Sequence, residues 1–192
     1  MELYGKTIGF AFTGSFCSFS EAFKVLEGLK NEGANLIPVM SNIAYTTDTR
    51  FGTAKEHIKR AQEITKNEII HTIASAEPIG PKKLFDLLII CPCTGNTMAK
   101  LANAITDTPV TMATKAHLRN ERPVLICPAT NDALGASGKN MLTLMAMKNI
   151  FFAPFGEDDP YKKPKSLVCL WDYVIPAAKS ALDYMQYQPV IK

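Results

Sequence analysis

Four short runs in this chain concentrate groups that can hold an anion: Thr13-Gly14-Ser15-Phe16, Ser41-Asn42, Pro92-Cys93-Thr94-Gly95-Asn96-Thr97 and Pro128-Ala129-Thr130-Asn131. The chemistry is that of backbone amides and hydroxyls. Where a strand ends and a helix begins, several N–H groups lack partners and the helix carries a partial positive charge, so an oxyanion such as phosphate is the natural guest. Each run alone is an ordinary N-cap signature, and for Thr94 or Ser18 taken singly capping is the preferred reading. Their coincidence predicts one anion site built from Gly14, Ser15, Ser41, Asn42, Thr94, Asn96 and Thr97. Gly14 and Ser15 serve equally well as a tight turn or as an approach of amides to a phosphate. Asn131 can orient a carboxylate or amide through its side chain, or close its own loop as an Asx-turn.

Other reactive residue types carry less. Five cysteines in no regular framework, with a lone C-x-C at Cys91 and Cys93 and three scattered histidines, argue against zinc and against disulfides. Cys93 lies in a candidate run but is read as packing, since an activated thiolate needs a neighbouring cation or base. His117 is expected as a satisfied surface histidine. Asp158 and Asp159, with Lys162, Lys163 and Lys165 close by, sit among prolines and are expected in a solvated loop. Lys115, Arg119 and Arg122 are cations ahead of the Pro128 run. Gly14 is followed by Phe16 and Ser18 where G-x-G-x-x-G would need further glycines, and there is no Walker-type G-x-x-x-x-G-K-[ST], so neither dinucleotide binding nor triphosphate hydrolysis is expected.

The elements that must position these runs alternate between two periodicities. Thr7 to Thr13, Asn35 to Met40, Leu87 to Cys91, Val124 to Cys127 and Ile150 to Ala153 are short apolar runs of the kind that form buried parallel strands. Between them lie helical patterns. Ser18 and Glu21 have capping-box spacing ahead of Ala22, Val25, Leu26 and Leu29, with Gly33 as the stop. Thr53 to Glu63, the Met98 to Ile105 face, Met141 to Met145 and Trp171 to Met185 are the remaining helices, the last with a late start or kink at Pro176. Ile69 to Ile73 is expected as a strand and Asp48 to Gly52 as an exposed loop. Strands separated by helices predict a three-layer, doubly wound, mostly parallel α/β sheet in one domain over 1–192. The carboxyl ends of such strands are where ligands bind.

A net charge of +3 and no long basic run give no reason to expect a nucleic-acid partner. No apolar stretch reaches the ~18 residues of a membrane span, and the first residues do not read as a leader, so a cytoplasmic location is expected.

The run from Pro92 to Asp107 resembles the P-x-S-x-N-T-x-x-K-x-A-x-G-x-x-D signature of the flavoprotein family, which includes phosphopantothenoylcysteine decarboxylases, peptidyl-cysteine decarboxylases and flavin prenyltransferases. Pro128-Ala129-Thr130-Asn131 is similar to the decarboxylases' P-A-M-N. The resemblance implies a Rossmann-like flavoprotein fold and a site for FMN or phosphate that includes Pro92, Asn96, Thr97, Pro128 and Ala129. Arg122 matches a phosphate-contacting arginine of the prenyltransferases. Three positions depart from the pattern. Ser41-Asn42-Ile43-Ala44-Tyr45-Thr46-Thr47 stands where the decarboxylases place a catalytic histidine shortly after the second strand, Thr130 replaces a methionine, and Ala104 replaces a glycine.

Over nearly the whole chain, the opening GKTIGFAFTGSFC, the block from Pro92 to Gly135 and the tail PFGEDDPYKKPKSL resemble one branch of that family: the B subunits of two-subunit oxidoreductases in spore-forming bacteria. This implies oxidation of a dihydrodipicolinate-type precursor to pyridine-2,6-dicarboxylate in the mother cell. An A subunit would hold NAD(P), Asn131 would orient the small dicarboxylate, and the chain would form homo-oligomers, trimers or multiples of them. Two other readings stay open: a self-sufficient FMN-dependent decarboxylase or prenyltransferase, and a non-catalytic stabilising role.

Overall fold

A computed structural model describes residues 3–192. Its first strand, β1 (Thr7–Phe12), leads through a short 3-10 turn into α1 (Phe19–Asn31), and β2 (Asn35–Met40) completes the first β-α-β unit. Then come α2 (Asn42–Thr46), α3 (Ala54–Thr65), α4 (Ile73–Ala76), β3 (Leu87–Cys93), α5 (Gly95–Ala102), α6 (Pro109–Leu118) and β4 (Val124–Thr130). The chain ends with α7 (Gly138–Met145), β5 (Ile150–Phe152), β6 (Phe155–Asp159), β7 (Lys163–Cys169) and α8 (Val174–Leu182).

The seven strands form one mixed sheet in the order β2-β1-β3-β4-β7-β6, with β5 beside the first half of β4. The β1, β2, β3, β4 and β5 pairings are parallel, whereas β7 joins the end of β4 antiparallel and β6 pairs with β7. The expected doubly wound α/β architecture is therefore present, with an antiparallel edge.

Both faces of the sheet are covered. Leu87, Ile89 and Cys91 of β3 enter a core shared with α1 and α8, while Leu88 and Ile90 enter a second core shared with α5, α6 and α7. That two-sided burial is why β3 reads as a continuous apolar run rather than an alternating one. On the first face Phe12, Phe19 and Phe23 form a ring cluster with centroids 5.0–6.3 Å apart, which anchors α1 directly behind the end of β1. Gly9 allows Phe85 to lie on β1, because a Cβ there would come within 2.5 Å of the ring.

Four local expectations are corrected. Ser18 makes no capping bond: the 3-10 turn places it at φ −97°, ψ 0°, away from the extended geometry a cap requires, and Glu21 pairs with Lys24 instead. Residues 69–73 are not a strand, since Ile70 makes only one bridge to Val39 before Thr72 caps α4 with a capping box. The segment around Asp158 and Lys163 is a β-hairpin, not a solvated loop, closed by Asp159 accepting from the Tyr161 and Lys162 amides. His117 is buried, with its Nε2–H donating to the Pro123 carbonyl at 2.9 Å, and desolvation holds its pKa down at about 4. Gly33 (φ +83°) ends α1 in the left-handed region as expected.

Candidate functional site

The carboxyl ends of β1, β3 and β4 open into a cleft of about 900 Å³ whose outer walls are the β6–β7 hairpin and the 49–51 loop between α2 and α3. That volume suits a small ligand or cofactor.

Thr13 builds the floor. Its buried hydroxyl donates to the Pro92 carbonyl at 2.7 Å and accepts from the Thr94 amide at 3.0 Å, tying the end of β1 to the end of β3. Thr94 then caps α5: its hydroxyl accepts from the Thr97 amide at 3.2 Å and bonds the Thr97 hydroxyl at 3.0 Å. Gly95 opens α5 at the cleft, and only a glycine fits there without a shift, because a Cβ would meet the Thr130 hydroxyl at 2.7 Å and the Ser137 hydroxyl at 3.1 Å. The loop after β4 is closed by Asp132, whose Oδ2 accepts from the Ser137 amide and hydroxyl at 3.1 and 3.3 Å.

Six of the residues expected at the site line the cleft: Gly14, Ser15, Thr94, Asn96, Ala129 and Asn131. Among the described residues the side chains of Asn96 and Asn131 have no hydrogen-bond partner, and both are exposed. The Asx-turn alternative for Asn131 is therefore not realised; Asp132 closes the loop instead. Ser15 has only long contacts with Ser18 and Cys17, at 3.4 and 3.8 Å. Two unpartnered amide side chains and the weakly engaged Ser15 hydroxyl thus line the cleft into which α5 opens, where a helix N-terminus favours an anion.

The remaining expected residues stand elsewhere. Pro92, Thr97 and Pro128 are buried behind the cleft wall. Ser41 is a buried cap of α2, accepting from the Ala44 amide at 3.3 Å, and Asn42 is on the exposed face of that helix. Arg122 is not brought to the site. It precedes β4, so the length of that strand, roughly 20 Å at ~3.3 Å per residue, separates it from the cleft. There it donates to the Lys83 and Phe85 carbonyls and lies 3.7 Å from Asp86. Cys93 is buried, and desolvation pushes its thiol far up, in agreement with a packing role.

Other cleft residues were not assigned to the site from sequence, Asp158 and Lys163 among them, which were expected in a solvated loop. Asp158, Lys163 and Ser166 come from the hairpin: the Lys163 amine is 2.7 Å from Asp158, and the Ser166 hydroxyl donates to the same carboxylate at 3.2 Å. The hydrogen bond to Asp158 raises the Lys163 pKa. Arg50 and Phe51 come from the loop, and Cys17 from the turn after β1. The Asp159-Pro160 turn flanked by two β-capable runs was the one available signal for the hairpin. Among the described residues no cluster of histidine, cysteine or carboxylate side chains could hold a metal ion, and no helix is long and apolar enough to cross a membrane.

Comparison with known proteins agrees with this fold. The flavoprotein family model matches residues 1–183. The chain is 49% identical over 190 residues, 99% of its length and 95% of the relative's, to the dipicolinate synthase B subunit of Bacillus subtilis (strain 168). The crystal structure of the dipicolinate synthase B subunit from Bacillus halodurans superposes with a TM-score of 0.92 at 45% identity, covering 100% of this chain and 98% of that one. The structure of AnUbiX in complex with FMN and dimethylallyl pyrophosphate shares the fold, with a TM-score of 0.62 at 20% identity over 93% of this chain and 91% of that one. By its family match and its full-length similarity to these two Bacillus proteins, the chain belongs to the flavoprotein family, in the branch of the dipicolinate synthase B subunits.

Proposed function

We propose that this chain is the B subunit of a dipicolinate synthase, an oxidoreductase that works with a nicotinamide-binding A subunit to convert a dihydrodipicolinate-type precursor into pyridine-2,6-dicarboxylate in the mother-cell cytoplasm. The observation that carries this is the full-length match to such subunits. Making a dihydropyridine aromatic removes one hydride and one proton. In this reading the hydride goes to NAD(P)+ held by the A subunit and the proton leaves to water. The present chain lacks the glycine fingerprint after β1, which fits a division of labour in which it holds the dicarboxylate and its partner holds the dinucleotide.

Within the cleft, Asn131 is the residue proposed to touch substrate. Its amide N–H donates to a carboxylate while its carbonyl oxygen accepts from the ring N–H. Ser15, Asn96 and the first amides of α5 form the anion cradle. That cradle, whose side chains have free or weakly engaged donors, fits the phosphate of FMN, and a bound flavin would supply a two-electron acceptor; inorganic phosphate is the simpler guest of the same groups. The self-sufficient decarboxylase is the weaker reading, because Ser41 at the end of β2 is engaged as a helix cap and, among the described residues, no histidine lines the cleft. Exposed apolar side chains such as Leu142 and Ile43 leave surface for the homo-oligomer, trimeric or a multiple, that family membership suggests.

The test is turnover. Purified A subunit supplied with NAD(P)+ and precursor is expected to form pyridine-2,6-dicarboxylate efficiently only when this chain is added. Equal rates with and without it would defeat the proposal. A chain that serves only to stabilise its partner would support full turnover even as Asn131→Ala.

A further inference from the structure

The loop between α2 and α3 is built more firmly than an exposed connection requires. Asp48 Oδ1 accepts from the Ala54 amide at 2.8 Å, Thr49 and Gly52 exchange backbone hydrogen bonds at 3.0 and 3.1 Å, and the Phe51 amide donates to the Thr49 hydroxyl at 3.1 Å. Gly52, at φ +129°, is pressed against the buried His57 ring, where a Cβ would come within 2.8 Å. His57 in turn packs on Phe19, with ring centroids 4.8 Å apart. The tip, Arg50 and Phe51, is thereby presented to the cleft, with the Arg50 guanidinium 4.8 Å from the centre of the Phe51 ring.

Charge decides what the tip can do. Among the described residues two cations line the cleft, Arg50 and Lys163. Lys163 is already paired with Asp158 at 2.7 Å, and the other carboxylate of the wall, Asp132, is held by Ser137. Arg50 has no carboxylate partner among the described residues. A ligand carrying two carboxylates therefore meets, in the same cleft, the cradle at the start of α5 with Asn131 and one guanidinium without a carboxylate partner on the 49–51 loop wall, which can offer two parallel N–H donors.

We propose that Arg50 is the specificity residue for the second carboxylate, selecting a dicarboxylated ring over a monocarboxylated one. The proposal rests on the cleft being the site for such a ring. A monocarboxylate needs only the α5 cradle, so removing the guanidinium should cost it little. A dicarboxylate loses one of its two anchors.

Calorimetric titration of the complex with its A subunit tests this, using pyridine-2,6-dicarboxylate and pyridine-2-carboxylate as probes. For Arg50→Gln, affinity for the dicarboxylate is expected to fall about tenfold or more, the range of a charge-assisted hydrogen bond, while affinity for the monocarboxylate changes less than about threefold. Arg50→Lys should recover part of the loss, and Arg119→Gln, a charge removed from an exposed position outside the cleft, should leave both affinities unchanged. An Arg50→Gln complex that keeps the wild-type preference for the dicarboxylate would overturn the role of Arg50 while leaving the cleft reading intact. Failure of the wild-type complex to bind either probe would overturn the cleft reading, and this inference with it.

Discussion

Replacing Thr13 by valine isolates the hydroxyl that ties β1 to β3, because the two side chains have nearly the same shape. In the folded chain this hydroxyl donates to Pro92 at 2.7 Å and accepts from the Thr94 amide at 3.0 Å, with Thr13 itself 1% exposed. Losing the two bonds leaves the Pro92 carbonyl and the Thr94 amide without those partners, at about 1.5 kcal/mol each. Burying a methyl in place of the hydroxyl returns up to ~0.8 kcal/mol. The net loss is about 2 kcal/mol, or a fall in Tm of roughly 4–8 °C for a chain of this length. Thermal melts monitored by circular dichroism, with Thr13→Ser as the control that keeps the hydroxyl, would measure it. Because Thr94 is the cap of α5, Thr13→Val is also expected to weaken phosphate binding at the cleft. A valine variant melting within about 1 °C of the wild type, with Thr13→Ser falling further, would show that the methyl rather than the hydroxyl matters and would refute the argument.

Asn131→Ala should leave Tm and association with the A subunit unchanged, since the side chain has no partner in its own loop, and lower kcat/KM of the complex roughly tenfold to a hundredfold; a destabilised but fully active complex would end its substrate role. The isolated chain should show no saturable binding of NADPH at micromolar concentration by fluorescence titration, and observing such binding would contradict the division of labour between the two chains. Stability should fall with acid through His117, whose folded pKa of about 4 lies below its ordinary 6.5. The unfolded chain takes up the proton first, so stability present above pH 6.5 is lost as pH drops toward 4, by up to roughly 3 kcal/mol at ~1.4 kcal/mol per pH unit. Urea midpoints of His117→Asn should vary less with pH over that window than those of the wild type.

The framework was legible where residue pattern and burial agree. Asn35 to Met40 is a strand with the bounds its apolar run suggests, and the polar runs after β1, β3 and β4 do converge on one cleft. The features the residue pattern does not reveal depend on partners distant in the chain. Lys163 and Lys165 look like a solvated basic cluster until β7 is paired with β4, a strand more than thirty residues earlier. Arg122 is near Pro128 in sequence, yet β4 is long enough to carry the two to opposite ends of the strand. Ser18 has the spacing of a capping box, but the aromatic packing of Phe16 on Phe19 goes with a 3-10 turn that removes the needed geometry. Arg50 gave no periodic signal, since its placement depends on Gly52 fitting against His57.

The central claim is that the cleft at the ends of β1, β3 and β4 holds the dicarboxylate, and a crystal of the two-subunit complex soaked in pyridine-2,6-dicarboxylate tests it most directly. Density for the ring is expected between the first turn of α5 and the 49–51 loop, with one carboxylate at Asn131. A fully occupied ring bound elsewhere, with this cleft filled only by water, would contradict it.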